Sequence, residues 1–343
     1  MSARTGALSG LRRLAADTGL LSGAQRLFGG VGAILMLHRV RAPGWSADPG
    51  MFTAPETLRH LIVAVRRSGY DVVSLDEAVQ RITGGGRRFC CLTFDDGYRD
   101  NHDVLWPVLR AEQAPATIYL TTGFVDGMHL PWRVSLESLV AARDALCIDG
   151  AVVRVVSAAD KSTAYETLAT ELRTKPAPER STLLNRWIAQ QGLDSDAVCR
   201  SAFMDWKMVR AMASDPLVTF GAHTVSHPRL AELGDEPAAA EITNSRARIG
   251  SILGAPPRHF AFPFGLGRDS KPRDEHLAAA AGFTTAVHGF GGPLRRGARL
   301  HALSRIPFGG DDDDADLAVR LTGLGAALRS MRRMSSGRKA HAQ

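Results

Sequence analysis

The chain has 343 residues, 45% hydrophobic and 22% charged, which supplies a sizeable apolar core and excludes wholesale disorder. Lysine and arginine exceed aspartate and glutamate by 42 − 35 = 7, but the surplus is spread along the chain without a basic–aromatic motif, so nucleic acid is not an expected partner. Four cysteines with no CxxC pair exclude a dense disulfide framework and a cysteine-built zinc site.

Over residues 1–30, Leu8, Leu11, Leu14, Leu20, Leu21, Leu27 and Phe28 alternate with Arg12, Arg13 and Arg26. That pattern predicts a helical segment packed on its own domain, with peripheral contact to a membrane surface as the alternative. The uncharged run Leu27–Leu37 resembles the apolar part of a signal peptide. No small-residue cleavage site follows it, however, and it runs straight into His38-Arg39-Val40. A cytoplasmic location is therefore expected, at most peripheral to the inner membrane. No apolar stretch reaches the ~18–20 residues of a spanning helix.

Ala33–Leu37 reads as a buried strand. Thr53-Ala-Pro-Glu56 reads as a capping box opening a helix with Leu58, Leu61, Ile62 and Val65 on one face, ended by Gly69. Asp71–Ser74 is a strand, and Ser74-Leu-Asp-Glu77 a second box. Strands Phe89–Phe94 and Ala116–Leu120 bracket a helical stretch, Val104–Glu112. Residues 126–205 break the rhythm: they are helical in character, carry Pro176 and Pro178, and show no strand beyond Ala151–Val156. They are expected to form an insertion over one mouth of the domain. Strand Leu217–Gly221, helix Glu236–Leu253, strand His259–Phe262, helix Glu275–Ala281, strand Thr284–Val287 and a short strand Ser304–Pro307 follow. From Arg329 a basic, Ser/Gly-containing tail is expected to be disordered. Repeated strand–helix alternation predicts one α/β domain over 31–328, with a mostly parallel sheet covered on both faces or closed as a barrel.

Four segments carry chemistry. Thr93-Phe94-Asp95-Asp96-Gly97 puts two carboxylates after an apolar strand, where parallel α/β architectures collect catalytic groups; an ordinary Asp-Gly turn is the competing reading. His223-Thr-Val-Ser-His227 follows another strand. Its i, i+4 imidazoles can meet one metal ion, and two histidines plus a carboxylate with open positions suit a catalytic metal. Phe260-Ala-Phe-Pro-Phe-Gly265 is a strand entering a Pro–Gly turn, and Leu35-Met-Leu-His38 ends the first strand on a histidine. Asp311–Asp314 lacks the ligand alternation of a calcium loop and reads as a solvated loop or helix start. Trp132 and Trp206 flank the insertion and are open to sugar stacking or core packing.

Together, in this order, these segments resemble the polysaccharide deacetylases of the NodB homology domain, carbohydrate esterase family 4. The resemblance covers roughly residues 33–310 and rests on TFDDG, GAHTVSHPRL and FAFPFG. It implies an irregular (β/α) barrel of about seven strands and hydrolysis of N-acetyl groups on GlcNAc-containing oligo- or polysaccharides. It also implies a divalent metal, zinc first, with cobalt, nickel or manganese as alternatives. By the same resemblance Asp95 matches the catalytic base and Asp96, His223 and His227 the metal ligands. Phe264, after Pro263, supplies a main-chain oxyanion donor.

Two departures stand out. The family often has an arginine where Ala261 stands, and that arginine pairs with the base; Arg258, Arg268 or Arg305 could replace it. The family's late Leu-x-x-His acid motif has no clean match, since His288 and His301 are out of pattern. Leu37-His38-Arg39 resembles a permuted branch whose first strand brings the acid, which nominates His38. An N-acetylated glycan is the expected partner. A hydrolase of a non-sugar amide or O-acetyl ester, and a silent glycan-binding protein, are the alternatives. Oligomeric state is not encoded in any of these motifs.

Overall fold

The computed structural model describes residues 23, 25, 27–128 and 131–324. Most of the leucine–arginine segment and the tail from Arg329 lie outside them. The strands are β1 Gly32–Leu37, β2 Arg39–Val40, β3 Phe52–Thr53, β4 Asp71–Val72, β5 Phe89–Phe94, β6 Ala116–Leu120, β7 Ala145–Ile148, β8 Ala151–Arg154, β9 Val218–Ala222, β10 His259–Ala261, β11 Thr285–Val287 and β12 Ile306–Pro307.

Seven of them form one curled parallel sheet in the order β11-β10-β9-β6-β5-β1-β12, and β4 pairs with the start of β5. This is the NodB-type (β/α) architecture the resemblance implied. The segment 303–307 draws the two ends of the sheet together. Leu303 pairs with Val287 of β11, and three residues later β12 pairs with β1 through Leu35 and Ile306.

Strand periodicity sorts the core into two layers. Cys90, Leu92 and Phe94 of β5 pack with Leu58, Leu61 and Ile62 beneath the helices. Cys91 joins Ile34, Tyr119, Ala261 and Val287 in the interior layer. Thr93 and Asp95 follow Cys91 at the same parity, so a strand that is apolar throughout delivers a carboxylate into the mouth of the barrel.

Two helix starts compare differently with expectation. Ser74 caps the helix Leu75–Gly84, its hydroxyl accepting from Glu77 N at 3.2 Å, while the Glu77 carboxylate turns to Arg81. The box at Thr53 does not form. The helix Pro55–Arg67 starts at N-cap Ala54 with Pro55 as its first residue, because Thr53 is engaged with Val40 in the β2–β3 pair. The expected apolar face, Leu58, Leu61, Ile62 and Val65, is buried.

Between β6 and β9 the chain builds helices Trp132–Ala141, Ala158–Arg173, Ala177–Gln190 and Ser195–Ala202. They enclose a cluster of their own around Leu136, Leu139, Leu168, Leu172 and Trp187. One strand here escaped the sequence pattern: β7 pairs antiparallel with β8. The Asp149-Gly150 turn joining them has positive φ at both residues, the geometry of the two-residue hairpin. Where this segment ends, Phe203 joins a separate aromatic cluster with Tyr98 and Phe124. Phe203 stacks on Tyr98 at 4.9 Å and lies tilted against Phe124 at 4.7 Å between centroids. Trp132 and Trp206 serve packing. Trp132 borders the cluster of this segment, and Trp206 lies on the main core with its Nε1 donating to Asp126 at 2.7 Å. Asp313 caps the helix Asp314–Leu321, its carboxylate accepting from Ala315 N and Asp316 N. The acidic run is thus a helix start.

Candidate metal and acid–base centre

The C-terminal ends of β5 and β9 lie side by side with β6 between them. Asp95 N donates to Leu37 O at 3.1 Å, extending the β1–β5 ladder one residue past the end of β5. Asp96 then turns with φ of 75°, and its carboxylate faces the two histidines. His227 Nε2 lies 3.3 Å and His223 Nε2 3.6 Å from Asp96 Oδ1. One ligand atom from each of the three lies within 4.8 Å of the others.

These residues fit a divalent ion on three counts. Asp96 Oδ1 is buried without a hydrogen-bond partner, a costly arrangement unless a cation satisfies it. His223 Nδ1 is engaged by Ala261 O at 2.8 Å, which orients the ring and leaves Nε2 facing Asp96. Burial pushes both imidazoles down to about 4, so at neutral pH they are in the uncharged, ligating form. Burial likewise raises the Asp96 carboxyl above its usual value in the absence of a cation.

The histidine loop is held against its own strain. Thr224 and His227 both have positive φ, at 67° and 58°. Thr224 Oγ1 accepts from His227 N at 3.0 Å. Glu241, on the helix Asp235–Leu253, accepts from Val225 N at 2.8 Å, Ser226 N at 2.9 Å and the Ser226 hydroxyl at 2.6 Å. Thr122 N and Gly123 N donate to the carbonyls of Thr224 and Val225. Among the described residues six non-glycine positions have positive φ, and four of them (Asp96, Thr224, His227 and Phe264) stand at this mouth. Such residues cost about 1–3 kcal/mol each and persist only where the surroundings over-determine them.

Asp95 is matched by Arg305. The guanidinium donates to both carboxylate oxygens, at 2.6 and 2.7 Å, and also to Thr93 Oγ1 and His288 O. Both partners are almost wholly buried. Burial alone would raise the Asp95 carboxyl; the Arg305 charge, then His223, then the bidentate bond outweigh it and hold the group well below the usual carboxylate range. Of the three arginines that could stand in for the missing one at Ala261, Arg305 is therefore the partner. Arg258 pairs with Asp76 at the other end of β10, and Arg268 lies outside beside Asp269.

His38 directly follows β1, at the same end of the sheet as Asp95 and Asp96 after β5. Its carbonyl accepts from Asn101 Nδ2 at 2.9 Å, in the π-helical turn Asn101–Leu105 that precedes the helix Trp106–Glu112. The other two candidates are engaged. His288 is stacked on Phe262 and held by Glu275 at 3.2 Å. His301 bonds Phe283 O, at the opposite end of the barrel from the carboxylates. Phe264 has φ of 60°, is 45% exposed, and its ring stands edge-on to His227 at 4.7 Å. Pro263 O accepts from Gly265 N at 2.6 Å, tightening the turn. His102 is outside this cleft, bonded to Asp103 and tilted against Trp106.

Sequence reasoning did not find Tyr98, Asn101 or Glu241. Tyr98, two residues after Asp96, is buried and stacked on Phe203, and Asn101 and Glu241 act chiefly through main-chain groups, which leave no residue pattern to read.

The sequence model of the polysaccharide deacetylase family matches residues 84–286. No curated protein sequence matches the chain. Among solved structures, the Streptococcus pyogenes deacetylase PplD, in complex with acetate, aligns with TM-score 0.57 at 17% identity, covering 84% of this chain and 97% of that one. IcaB from Ammonifex degensii aligns with TM-score 0.57 at 16% identity, covering 86% and 98%. A de-N-acetylase from Aggregatibacter actinomycetemcomitans aligns with TM-score 0.56 at 16% identity, covering 83% and 98%. At these identities the likeness is one of fold.

Proposed function

The chain belongs to the polysaccharide deacetylase family, and from that premise we propose that it removes N-acetyl groups from a glycan containing N-acetylglucosamine, with a divalent ion as cofactor. The observation that carries this reading is the buried, unpartnered Asp96 Oδ1 facing two neutral imidazoles beside a carboxylate held ionised. Asp96, His223 and His227 would hold the ion, which supplies Lewis acidity toward the amide carbonyl and the attacking water. Zinc suits two histidines and a carboxylate; cobalt, nickel and manganese suit them too.

Asp95 takes the proton of the attacking water. Its pairing with Arg305 fixes the carboxylate plane and keeps it ionised across the neutral range, at the cost of making it a weaker base. His38 gives a proton to the departing amine, which is a poor leaving group until protonated. The Phe264 main-chain N–H, presented by its left-handed turn, donates to the oxyanion.

Metal analysis combined with acetate release from a panel of chitooligosaccharides tests this reading. Wild type should carry about one ion per chain and release acetate, and the double variant His223→Ala, His227→Ala should lose both. Release from O-acetyl esters alone, or from nothing offered, would overturn it in favour of an esterase or a silent binder. Equal metal content in the two proteins would overturn the ligand assignment.

A further inference from the structure

The turn that carries Asp96 is bent against its own preference. Asp96 and Gly97 are consecutive left-handed residues, with φ of 75° and 80°, and an aspartate in that region persists only where its surroundings fix it. On the strand side the β1–β5 ladder gives that support. On the far side it comes from residues 203 and 204, where the segment inserted between β6 and β9 rejoins the barrel. Met204 N donates to Gly97 O at 3.0 Å, and Phe203 pairs with Tyr98 as a one-residue antiparallel bridge, its ring stacked on the tyrosine.

The same ring reaches the histidine side. Phe124, 4.7 Å from it, belongs to the helix Thr122–Val125, whose Thr122 N and Gly123 N hold the carbonyls of Thr224 and Val225. Phe124 in turn lies 6.0 Å from the His227 ring. Phe203, 2% exposed, is thus wedged between the turn of Asp96 and the helix that braces the histidine loop. Those two supports belong to the barrel, whereas Phe203 is fixed from the insertion. Ala202 joins the same small cluster, and Val134 packs against it. Val198, one turn before Ala202 on the helix Ser195–Ala202, and Leu136, on the helix of Val134, belong to the separate core of the insertion. Two helices therefore have a foot in each cluster.

Close-packed side chains on rigid helices transmit displacement rather than absorb it. We propose that Phe203 is a positioning residue for the metal site, through which the inserted segment sets the affinity of the barrel for its ion. Linkage makes the effect reciprocal: the insertion gains stability when Asp96, His223 and His227 hold an ion. This rests on the metal assignment above and gives the insertion a part in it.

Two measurements on the full chain test the coupling: competition between the metal-free protein and a chromophoric chelator for zinc, and amide hydrogen exchange with and without zinc. Phe203→Ala should weaken zinc binding about 10–100-fold, the usual effect of losing a group that orients ligands, at temperatures where the variant is fully folded. Phe203→Leu, which keeps much of the buried volume, should lie between it and wild type. In wild type, zinc should slow exchange in the helices Ala158–Arg173 and Ala177–Gln190, which carry none of the ligands. In Phe203→Ala that slowing should vanish. Loss of packing alone would lower the melting temperature and leave both readouts where they were. An unchanged zinc dissociation constant in folded Phe203→Ala would overturn the proposal, and so would protection confined to the loops of Asp96 and His223–His227. Should the alanine variant not fold, the leucine variant decides by the same readouts. A wild-type chain that takes up none of zinc, cobalt, nickel and manganese would instead overturn the metal assignment on which the proposal depends.

Discussion

Asp95 is the residue on which the chemistry and the packing make opposite demands. Its carboxylate must be ionised to act as the proposed base, yet it lies in the barrel interior, where an unpaired charge is costly. Arg305 reconciles the two, and the pair can be taken apart experimentally. Arg305→Met should destabilise the protein by about 3–5 kcal/mol, since it strands a buried carboxylate. Adding Asp95→Asn should recover much of that loss in a thermal-denaturation cycle; additive effects would mean the pair is not energetically coupled. With Arg305 intact, Asp95→Asn should retain the metal and lower turnover by about 10²–10⁴-fold, and His38→Gln should do likewise. Normal turnover in the His38 variant would return the acid role to His288. At this scale the sequence was legible where chemistry is local. Asp95-Asp96 and His223…His227 are each read from a handful of adjacent letters. The partner of Asp95 was not, because it arrives from 210 positions away, and composition alone offered Arg258, Arg268 and Arg305 on equal terms.

The elements that matter most are the loops at strand ends, and they are stiffened by helices. The segment between β9 and the helix Asp235–Leu253 holds two residues in left-handed conformations, and the Glu241 carboxylate spans its amides. Replacing Glu241 by Ala removes acceptors from Val225, Ser226 and the Ser226 hydroxyl together. Metal affinity should then fall about 10–100-fold, as is usual for groups that orient ligands, with the helix itself preserved. Competition with a chromophoric chelator measures this, and an unchanged dissociation constant would show that the loop holds its shape unaided. Glu241 was invisible in the sequence because nothing in an amphipathic helix distinguishes a carboxylate facing a loop from one facing water. Strand β7 was missed for a different reason: Leu146 and Ile148 are buried alternately with exposed neighbours, a weak two-position signal next to the helix Trp132–Ala141. The Asp149-Gly150 pair was the available clue. Conversely, the Thr53 box looked right and failed, since pairing with Val40 took up the residue that was to cap.

For the molecule as a whole, alternation of strands and helices was enough to anticipate the barrel, because burial on both faces makes each strand almost uniformly apolar. The proposed metal site, Asp96 with His223 and His227, lies at one end of this core and contributes nothing to its two apolar layers. Chelation should therefore abolish activity and lower the melting temperature only by the ligand-binding contribution, which depends on free metal concentration; loss of cooperative unfolding on chelation would contradict this. The junction made by residues 303–307 has a further bearing on how the enzyme comes into being. A ribosome releases the two aspartates, both histidines and the turn of Phe264 long before it releases Arg305. Until then the sheet is open between β11 and β1, and Asp95, at the end of neighbouring β5, lacks Arg305. Arg305 and β12 are adjacent in the chain, so the proposed base gains its partner only as the barrel is sealed. A chain stopped at residue 302 would hold every metal ligand and still be inert, whereas supplying the missing strand as a separate peptide should switch it on.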